Sequence, residues 1–339
     1  MGEDELSLDA LFHRPDIPPT ADLPPRDEPN RRTFEAVSGD EVELERLEGG
    51  GVRLSARSEL VEVGPPAGVR ERLSVEELRG IGARLDPPNA FRPDWVGLQF
   101  APRLRPHYVS ALRGAVRPLI FEQTAMAYPF CTMGKVFIQR RGQRLQVGSG
   151  VLVGPQLLLT ASHAMPWGDP DASVRFVPAY KDGNDPRFGH AWADEWRGVR
   201  NADDVTGLDY VICRLNWRIG DLTGWLGSAW SSRESFYYDR EWLSVGYPTT
   251  FLGGERQAIE VPVRVRDIDN DGDGLEIETH KFALGGWSGG PLWGGVDGQF
   301  RVVGIESGFE KDFLDPERTV FAGGEHLVNL VKYGWANWP

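Results

Sequence analysis

The pattern of hydrophobic and polar positions divides the chain into parts with different predicted structures. Residues 1–33 combine prolines and charged side chains with few large apolar residues, a composition that cannot offset the entropy lost on folding. We therefore predict a disordered or extended arm over these residues. From Thr33 to Val63, two runs of alternating apolar and polar residues flank Gly49 to Gly51, and this pattern predicts two strands joined by a turn.

A short helix is predicted after these strands. Ser74 and Glu77 have the spacing of a capping box, in which each side chain satisfies a backbone amide at the start of a helix. The helix is expected to run from about Val75 to Leu85, because an aspartate and two prolines follow it. We interpret residues 34–115 as an accessory or propeptide-like region.

From Phe130 to the last helix, the chain consists of short apolar runs separated by turn residues. The runs are rich in Val, Ile, Leu and Phe, and Gly, Pro, Asn or Asp lie between them, which is typical of strands. Their number and spacing predict an all-β fold of two packed Greek-key barrels. The segment GGEHLVNLVKYGW near the carboxyl terminus predicts one closing helix.

Composition and charge narrow the function classes. The chain has 339 residues, of which 40% are hydrophobic and 26% charged, as is usual for a soluble globular protein. The net charge of -13 argues against a nucleic-acid partner, because phosphate binding needs a sustained basic surface. No apolar run approaches the roughly 18 residues that a membrane span needs, so no membrane partner is expected. The oligomeric state has no signal in the sequence.

The amino terminus and the cysteines bear on the compartment. Residues 1–16 are acidic and have neither the basic nor the apolar region of a secretion signal, so the chain as encoded is expected to be intracellular. Cys131 and Cys213 are too few for a disulfide scaffold. Both lie in apolar, strand-like runs, where a cysteine more often acts as a small buried hydrophobe, and we predict free thiols.

Three separate residues supply the parts of an acyl-transfer triad. Ser288 lies between glycines in GGWSGGPLW, His163 follows an apolar run that ends in TASH, and Asp209 lies at the start of the apolar run LDYVICRL. A serine hydroxyl needs a base to take its proton, and the base needs a carboxylate to orient it. Asp203 and Asp204 are alternative carboxylates, but they lie in a polar loop, whereas the strand after Asp209 would bury it.

These motifs resemble those of the chymotrypsin-like serine peptidases. TASHAM is similar to the TAxH motif of that family, GWSGGP to its GxSGGP motif and LDYVICRL to its aspartate-bearing strand, in the same order His, Asp, Ser. The segments YPFCTMGKVFI, IGDLTGWLG and VGYP resemble the glutamyl-endopeptidase-like branch. The resemblance implies a chymotrypsin-like double Greek-key β-barrel over residues 116–339. It also implies a serine endopeptidase that cleaves proteins or peptides through an acyl-enzyme. The family is mostly secreted, which conflicts with the missing signal.

The resemblance assigns further roles around the serine. The amides of Gly286 and Ser288 would form the oxyanion hole. Trp287 stands where trypsin has an aspartate that pairs with a newly cut amino terminus, so activation by that switch is not expected.

The specificity pocket is expected to have its base at Phe282 and Ala283 and its wall at Glu306, Ser307 and Gly308. Glu306 stands where glutamyl endopeptidases have a histidine, so a preference for glutamate is not carried over. A carboxylate there favours Arg or Lys beside the scissile bond as a hypothesis, whereas a salt-bridged structural glutamate explains the same residue.

The amino-terminal region has two interpretations. Arg113 and Arg117 flank the expected start of the peptidase domain at residue 116, so one cut there would release a propeptide. A folded accessory region that stays attached fits the same residues. The alternative function is a catalytically silent peptide-binding or regulatory module, because a peptidase fold does not by itself imply turnover.

An acidic run, DIDNDGDGLEIE, is the one candidate for a cofactor site. Calcium takes carboxylate oxygens as ligands, and a hairpin turn explains the same residues. The candidate ligands are Asp267, Asp269, Asp271, Asp273 and Glu278.

Overall fold

The computed structural model describes residues 42–46, 52–56, 68–99, 105–106, 120–122, 125–140, 143, 145–183, 188–202, 206–250, 252–281, 284–310 and 318–338. Its α-helices are Val75–Gly82 (α1), Gly220–Thr223 (α2), Ser235–Tyr238 (α3) and Glu325–Asn337 (α4). Short 3-10 helices lie at Phe130–Thr132, Thr206–Leu208 and Leu252–Gly254.

The strands make up most of the regular structure. Those up to the centre of the chain are Val42–Arg46 (β1), Val52–Ala56 (β2), Arg70–Leu73 (β3), Arg105–Pro106 (β4), Ile120–Glu122 (β5), Met133–Gln139 (β6), Gln146–Gly154 (β7), Leu157–Thr160 (β8), Ser173–Pro178 (β9), Ala191–Val199 (β10) and Val211–Leu215 (β11). The later ones are Gly227–Ser228 (β12), Trp242–Gly246 (β13), Ala258–Val263 (β14), Val265–Asp271 (β15), Gly274–Thr279 (β16), Pro291–Val296 (β17), Gln299–Glu310 (β18) and Arg318–Gly323 (β19).

Six strands form a closed barrel in the first half of the fold. They are joined in the order β11, β8, β7, β6, β9 and β10, and β10 pairs again with β11 to close the sheet. Side chains from all six strands meet in one buried cluster that includes Val136, Leu152, Leu158 and Phe176. Alternate residues of a strand point to the same face, so these apolar positions fill the barrel.

The second sheet is a half-barrel. Its strands follow the order β15, β16, β19, β18, β17, β13, β14, β5 and β4, and β12 pairs with β18. β17 and β18 form an antiparallel pair that extends from Val296 opposite Gln299 to Pro291 opposite Ile305. The turn that enters β17 carries the serine motif, so this strand pair places residues 305–308 beside that turn.

The largest hydrophobic cluster joins the two barrels to the closing helix. It includes Leu159 from the first barrel, Trp293 from the second and Leu330 from α4. The structure therefore confirms the predicted all-β double barrel and the predicted carboxyl-terminal helix.

The amino-terminal strands and helix also form as predicted. β1 and β2 pair antiparallel, from Val42 opposite Ala56 to Arg46 opposite Val52. The turn predicted at Gly49 to Gly51 lies outside the described residues.

The capping box of α1 is present in full. The Ser74 amide donates to Glu77 Oε2 at 2.6 Å, and the Glu77 amide donates to Ser74 Oγ at 3.2 Å. The helix ends at Gly82 rather than at Leu85, because the amide of Arg84 bonds to the Ile81 carbonyl three residues back and tightens the turn.

Two elements of the amino-terminal region, β3 and α1, pack onto the rest of the fold. β3 runs parallel to β10, from Arg70 opposite Trp196 to Leu73 opposite Val199. α1 packs against α4, and Lys332 Nζ donates to the Gly82 carbonyl at 3.2 Å. The predicted arm over residues 1–33 and the predicted cleavage sites Arg113 and Arg117 lie outside the described residues, so the start of a peptidase domain at residue 116 stays a prediction.

Both cysteines lie among the described residues. Cys131 and Cys213 are buried free thiols, as predicted, and Cys131 Sγ donates to the Thr223 carbonyl at 3.2 Å. Burial raises the pKa of both thiols well above the ordinary range, so they stay protonated.

In the described part of the chain, no helix has both the length and the apolar character needed to cross a membrane.

Candidate active site

Strand register brings the predicted histidine and aspartate together. Thr160, the last residue of β8, pairs with Val211, the first residue of β11. The residues that follow β8 and the residues that precede β11 therefore lie side by side. His163 is in the first of these segments and Asp209 in the second.

The two side chains are directly bonded. His163 Nδ1 lies 2.5 Å from Asp209 Oδ2, and the His163 amide donates to Asp209 Oδ1 at 2.8 Å. The Asp209 residue is 3% exposed, whereas the His163 side chain is 44% exposed. A buried carboxylate thus fixes one edge of the imidazole and leaves the Nε2 edge for chemistry. The alternative carboxylates Asp203 and Asp204 lie outside the described residues.

A third residue, Ser307, also forms a hydrogen bond to the carboxylate of Asp209. Ser307 Oγ donates to Asp209 Oδ2 at 2.5 Å. Ser307 was predicted to line the substrate pocket, and the structure adds this contact with Asp209. The hydroxyl of Ser307 and the Nδ1 of His163 contact the same oxygen of Asp209, so Ser307 helps to orient the carboxylate beside the imidazole.

The basicity of His163 results from opposing effects. Partial burial lowers its pKa, but the hydrogen bond to Asp209 and the negative charges of Asp209 and Glu306 raise it more. The net effect is a pKa above the ordinary histidine value. A base of this kind accepts a proton more readily, and it loses function as the pH falls through its pKa.

The serine turn is held by the first barrel. The Ser149 amide donates to the Ser288 carbonyl at 2.8 Å, and Ser149 Oγ donates to the Gly286 carbonyl at 2.9 Å. Gly289 has a φ of +85°, and a Cβ there would lie 2.2 Å from the Ser149 carbonyl oxygen. The glycine after the serine is therefore required for the two barrels to meet at this turn.

The amides predicted to form the oxyanion hole are available. Among the described residues, the amides of Gly286 and Ser288 have no hydrogen-bond acceptor, and Gly286 has a φ of +94°. The Ser288 hydroxyl likewise has no hydrogen bond to His163 within that part of the chain. Donor and acceptor distances at a catalytic serine often tighten when substrate binds.

The family comparison covers the same residues. Residues 148–305 match the model of the family described as the trypsin-like peptidase domain, and this range contains His163, Asp209 and Ser288. Over residues 148–305 the chain resembles the trypsin-like serine peptidases. No curated protein matches the sequence of this peptidase.

Solved structures similar to the peptidase are also proteases. The protease Anisep from Arthrobacter nicotinovorans is 20% identical, with a TM-score of 0.49 over 64% of this chain and 100% of its own. A Glu endopeptidase in complex with MPD is 15% identical, with a TM-score of 0.50 over 62% of this chain and 93% of its own. The thermostable serine protease AL20 from an extremophilic microorganism is 22% identical, with a TM-score of 0.45 over 61% and 98%. At 15% identity, the likeness to the Glu endopeptidase shows the fold, which is the predicted one.

The predicted specificity pocket is described in part. Phe282 and Ala283, its expected base, lie outside the described residues. In its expected wall, Glu306 is 3% exposed and its Oε2 lies 2.6 Å from Lys281 Nζ. The predicted preference of the peptidase for Arg or Lys required an unpaired carboxylate, so that preference gains no support from the structure, and the salt-bridged alternative describes Glu306 as it is found.

Trp287, the residue before Ser288, is part of the core. Trp287 is fully buried, and its Nε1 donates to Ser244 Oγ at 3.0 Å. Lys281 Nζ lies 3.8 Å from the centroid of the Trp287 ring. Lys281 was not among the residues predicted for the site. Its position in HKFALGG, a few residues before the serine motif, was the available signal.

Glu260 is a second buried carboxyl near this lysine. It lies on β14 opposite Ser244 of β13 and is 8% exposed. Burial raises its pKa, the charge of Lys281 lowers it and the charge of Glu306 raises it, with a net value of about 8. Glu260 is therefore mostly protonated at neutral pH, and its Oε2 has no hydrogen-bond partner among the residues that the structure describes.

We expect Glu260 to make the peptidase less stable as the pH rises. An unfolded glutamate has a pKa of about 4.3, so between this value and about 8 the folded chain holds a proton that the unfolded chain has lost. The free energy of unfolding then falls with pH by at most about 1.4 kcal/mol per pH unit. Glu260→Gln has the same shape without the titration, and urea unfolding of both proteins between about pH 5 and about pH 8 measures the difference.

The matched control is the exposed Glu241→Gln, which should track the unchanged protein at each pH. A difference in unfolding free energy between Glu260→Gln and the unchanged protein that stayed constant over this range would contradict the assignment.

The acidic run forms a hairpin rather than a compact cluster. β15 and β16 pair with Asp267 opposite Glu278 and Asp271 opposite Gly274. A strand rises about 3.3 Å per residue, so Asp267 and Asp271 are about 13 Å apart, far beyond the reach of one calcium ion. Asp273 pairs with Arg79 at 2.7 Å. Among the described residues, which do not include the Asp271 side chain, no group of three potential metal ligands occurs. The hairpin turn is the interpretation that fits this pairing, and calcium binding, for which Asp269 was also a candidate ligand, stays an untested alternative.

Proposed function

We propose that the peptidase hydrolyses peptide bonds through a triad of His163, Asp209 and Ser288 and an acyl-enzyme intermediate. The observation that carries this proposal is the bond between His163 Nδ1 and the buried Asp209, because it leaves the imidazole oriented and basic near the serine turn. The match of residues 148–305 to the trypsin-like peptidase domain supports proteins or peptides as substrates.

The proposed chemistry begins at the serine. Ser288 Oγ attacks the scissile carbonyl carbon while its proton passes to His163 Nε2. The carbonyl electrons move to the oxygen, and the amides of Gly286 and Ser288 bind the resulting oxyanion. Asp209 stabilises the imidazolium that has formed, because its carboxylate already accepts the bond from Nδ1.

The intermediate then collapses in two stages. The carbon–nitrogen bond breaks, His163 gives its proton to the leaving amine, and the acyl group remains as an ester on Ser288. Water attacks this ester with His163 again as the base. The second collapse releases the carboxylic acid and returns the proton to Ser288.

Burst kinetics test the acyl-enzyme directly. With a p-nitrophenyl ester in excess, we expect a rapid release of about one p-nitrophenolate per chain, followed by slower steady turnover, since acylation of an activated ester outruns deacylation. A catalytically silent peptide-binding module would bind peptides and give neither phase. Linear release without a burst, at the rate of the Ser288→Ala variant, would contradict the proposal.

A further inference from the structure

A buried ion pair beside the serine turn joins Lys281, which precedes the predicted base of the substrate pocket, to Glu306 in its predicted wall. The Lys281 side chain has no exposed surface, and its Nζ lies 2.6 Å from Glu306 Oε2. Lys281 follows β16, whereas Glu306 is in β18. The pair therefore connects the segment that leads into the serine motif with the strand that runs beside it.

The lysine also contacts the residue that precedes the nucleophile. Its Nζ lies 3.8 Å from the centroid of the Trp287 ring, over the negative face where a cation is attracted. The other end of the indole donates from Nε1 to Ser244 Oγ at 3.0 Å. Trp287 is thus fixed by a cation on its face and a hydrogen bond at its edge.

The main chain of Glu306, the partner of Lys281, forms hydrogen bonds to the two residues that follow Ser288. The Gly289 amide donates to the Glu306 carbonyl at 2.9 Å, and the Glu306 amide donates to the Gly290 carbonyl at 2.9 Å. These bonds fix the two residues after Ser288, while the Lys281 contact fixes the residue before it. The backbone on both sides of the serine is connected to one buried pair.

Stability alone is a poor explanation for such a pair. Removing two charges from water costs more than their attraction returns unless the geometry is favourable, and an apolar pair of the same volume is often as stable or more stable. A buried pair placed at a catalytic turn is better explained by the position it imposes on that turn.

We propose that Lys281 is a positioning residue for the oxyanion hole. Its ammonium group, paired with Glu306 and seated on the Trp287 ring, holds the Gly286 to Gly290 turn in the conformation that leaves the amides of Gly286 and Ser288 free for an oxyanion. This inference rests on the proposed function, because it concerns the transition state of that reaction.

Lys281→Met tests the proposal in the full chain. Loss of one oxyanion donor slows turnover by roughly 10²-fold to 10³-fold. A turn that is misplaced rather than missing a donor should have an effect near the lower value. We therefore expect kcat to fall on the order of 10²-fold. KM should change by less than about threefold, because the ground-state carbonyl gains little from the hole. The affinity for a peptide aldehyde, which forms an oxyanion on Ser288, should fall in parallel with kcat.

Two further variants make the result decisive. Lys281→Met combined with Glu306→Gln removes both charges and so avoids an unpaired buried carboxylate if the single variant fails to fold. Lys332→Met is the matched control, since Lys332 is a buried lysine of α4 that donates to the Gly82 carbonyl at 3.2 Å and has no described contact with the serine turn. It should keep kcat within about twofold.

The outcomes separate this inference from the proposed function. If the unchanged protein has Ser288-dependent turnover and folded Lys281 variants match Lys332→Met in kcat and aldehyde affinity, the positioning role is wrong and the triad stands. If the unchanged protein has no Ser288-dependent turnover, the proposed function fails and this inference fails with it.

An independent set of contacts concerns the histidine. β3 lies against the loop that joins β8 to β9 and contains His163. Arg70 donates from Nη1 to the Asp169 carbonyl and from Nη2 to the Ala172 carbonyl, the latter at 3.0 Å. The Arg72 guanidinium lies 4.7 Å from the Trp167 ring centroid, and Trp167 Nε1 donates to the Ser162 carbonyl at 2.9 Å.

We infer that β3 positions the loop of His163 and so forms part of the active enzyme rather than an inhibitory propeptide. Two arginines of this short strand bind the loop at separate places. Arg72 contacts Trp167, which bonds to the residue before His163, and Arg70 binds the end of the loop that leads into β9. Arg70 is itself fixed, because its guanidinium lies 4.2 Å from the centroid of the Trp196 ring.

The test compares two double variants of the full chain. Arg70→Met with Arg72→Met should lower kcat/KM on the order of tenfold and move the acid limb of its pH profile towards the ordinary histidine pKa, because a misplaced His163 loses part of its bond to Asp209. Arg79→Met with Arg84→Met, whose arginines contact Asp273 and the Gly80 carbonyl, is the control and should change neither. An unchanged limb, or the gain of activity that an inhibitory propeptide predicts, would overturn the inference.

Discussion

Ser288→Ala is expected to lower kcat by about six orders of magnitude, because removal of the nucleophile of a serine triad leaves binding and oxyanion stabilisation without a covalent route. The fold should persist, since the described contacts of Ser288 are made by its backbone, to Ser149. Hydrolysis of a peptide amide by the purified variant, with its melting temperature recorded alongside, measures both expectations.

The control for this prediction is Ser232→Ala, which removes the hydroxyl of an exposed serine away from the site. It should hydrolyse the same amide at the rate of the unchanged protein. Retention of turnover within about tenfold by Ser288→Ala would place the nucleophile at another residue.

Asp209→Asn is expected to lower kcat by about 10⁴-fold while leaving the fold intact. An amide at this position presents a different hydrogen-bonding pattern to His163 Nδ1 and favours the wrong tautomer, and it carries no charge to stabilise the imidazolium. Loss of the Asp209 charge and hydrogen bond also lowers the pKa of His163, which is raised in the unchanged protein. The acid limb of kcat/KM should therefore shift to lower pH.

The measurement is a pH profile of peptide hydrolysis for both proteins. Activity requires neutral His163, so it is present above the pKa of this residue and is lost as the pH falls through it. Asp221→Asn, which changes an exposed aspartate that pairs with Arg218, is the control and should leave the profile unchanged. An Asp209→Asn profile with the limb of the unchanged protein would show that another group controls it.

Local patterns were sufficient to predict many of the elements and the pair formed by His163 and Asp209. The capping box at Ser74 and Glu77 is a four-residue pattern, and it forms as predicted. His163 follows a short apolar run that forms β8, and Asp209 precedes another that forms β11. Burial of the Asp209 carboxylate follows from the strand next to it.

Contacts between distant segments were not predictable in this way. The bond from Ser307 to Asp209 depends on how β18 of the second sheet approaches the first barrel. The pairing of Lys281 with Glu306 depends on the relative placement of β16 and β18. A lysine or a glutamate in the sequence does not indicate which residue it pairs with. The parallel addition of β3 to β10 joins segments that are remote in sequence, so no local periodicity indicates it.

The most direct test of the account is fluorophosphonate labelling of the full chain, followed by mass spectrometry of its peptides. A fluorophosphonate reacts with a serine that an adjacent base has activated, so the proposed triad predicts one label on the peptide that contains Ser288, with much slower labelling in His163→Ala. Labelling of a different serine, or of none in the folded chain, would contradict the assignment of Ser288 as the nucleophile.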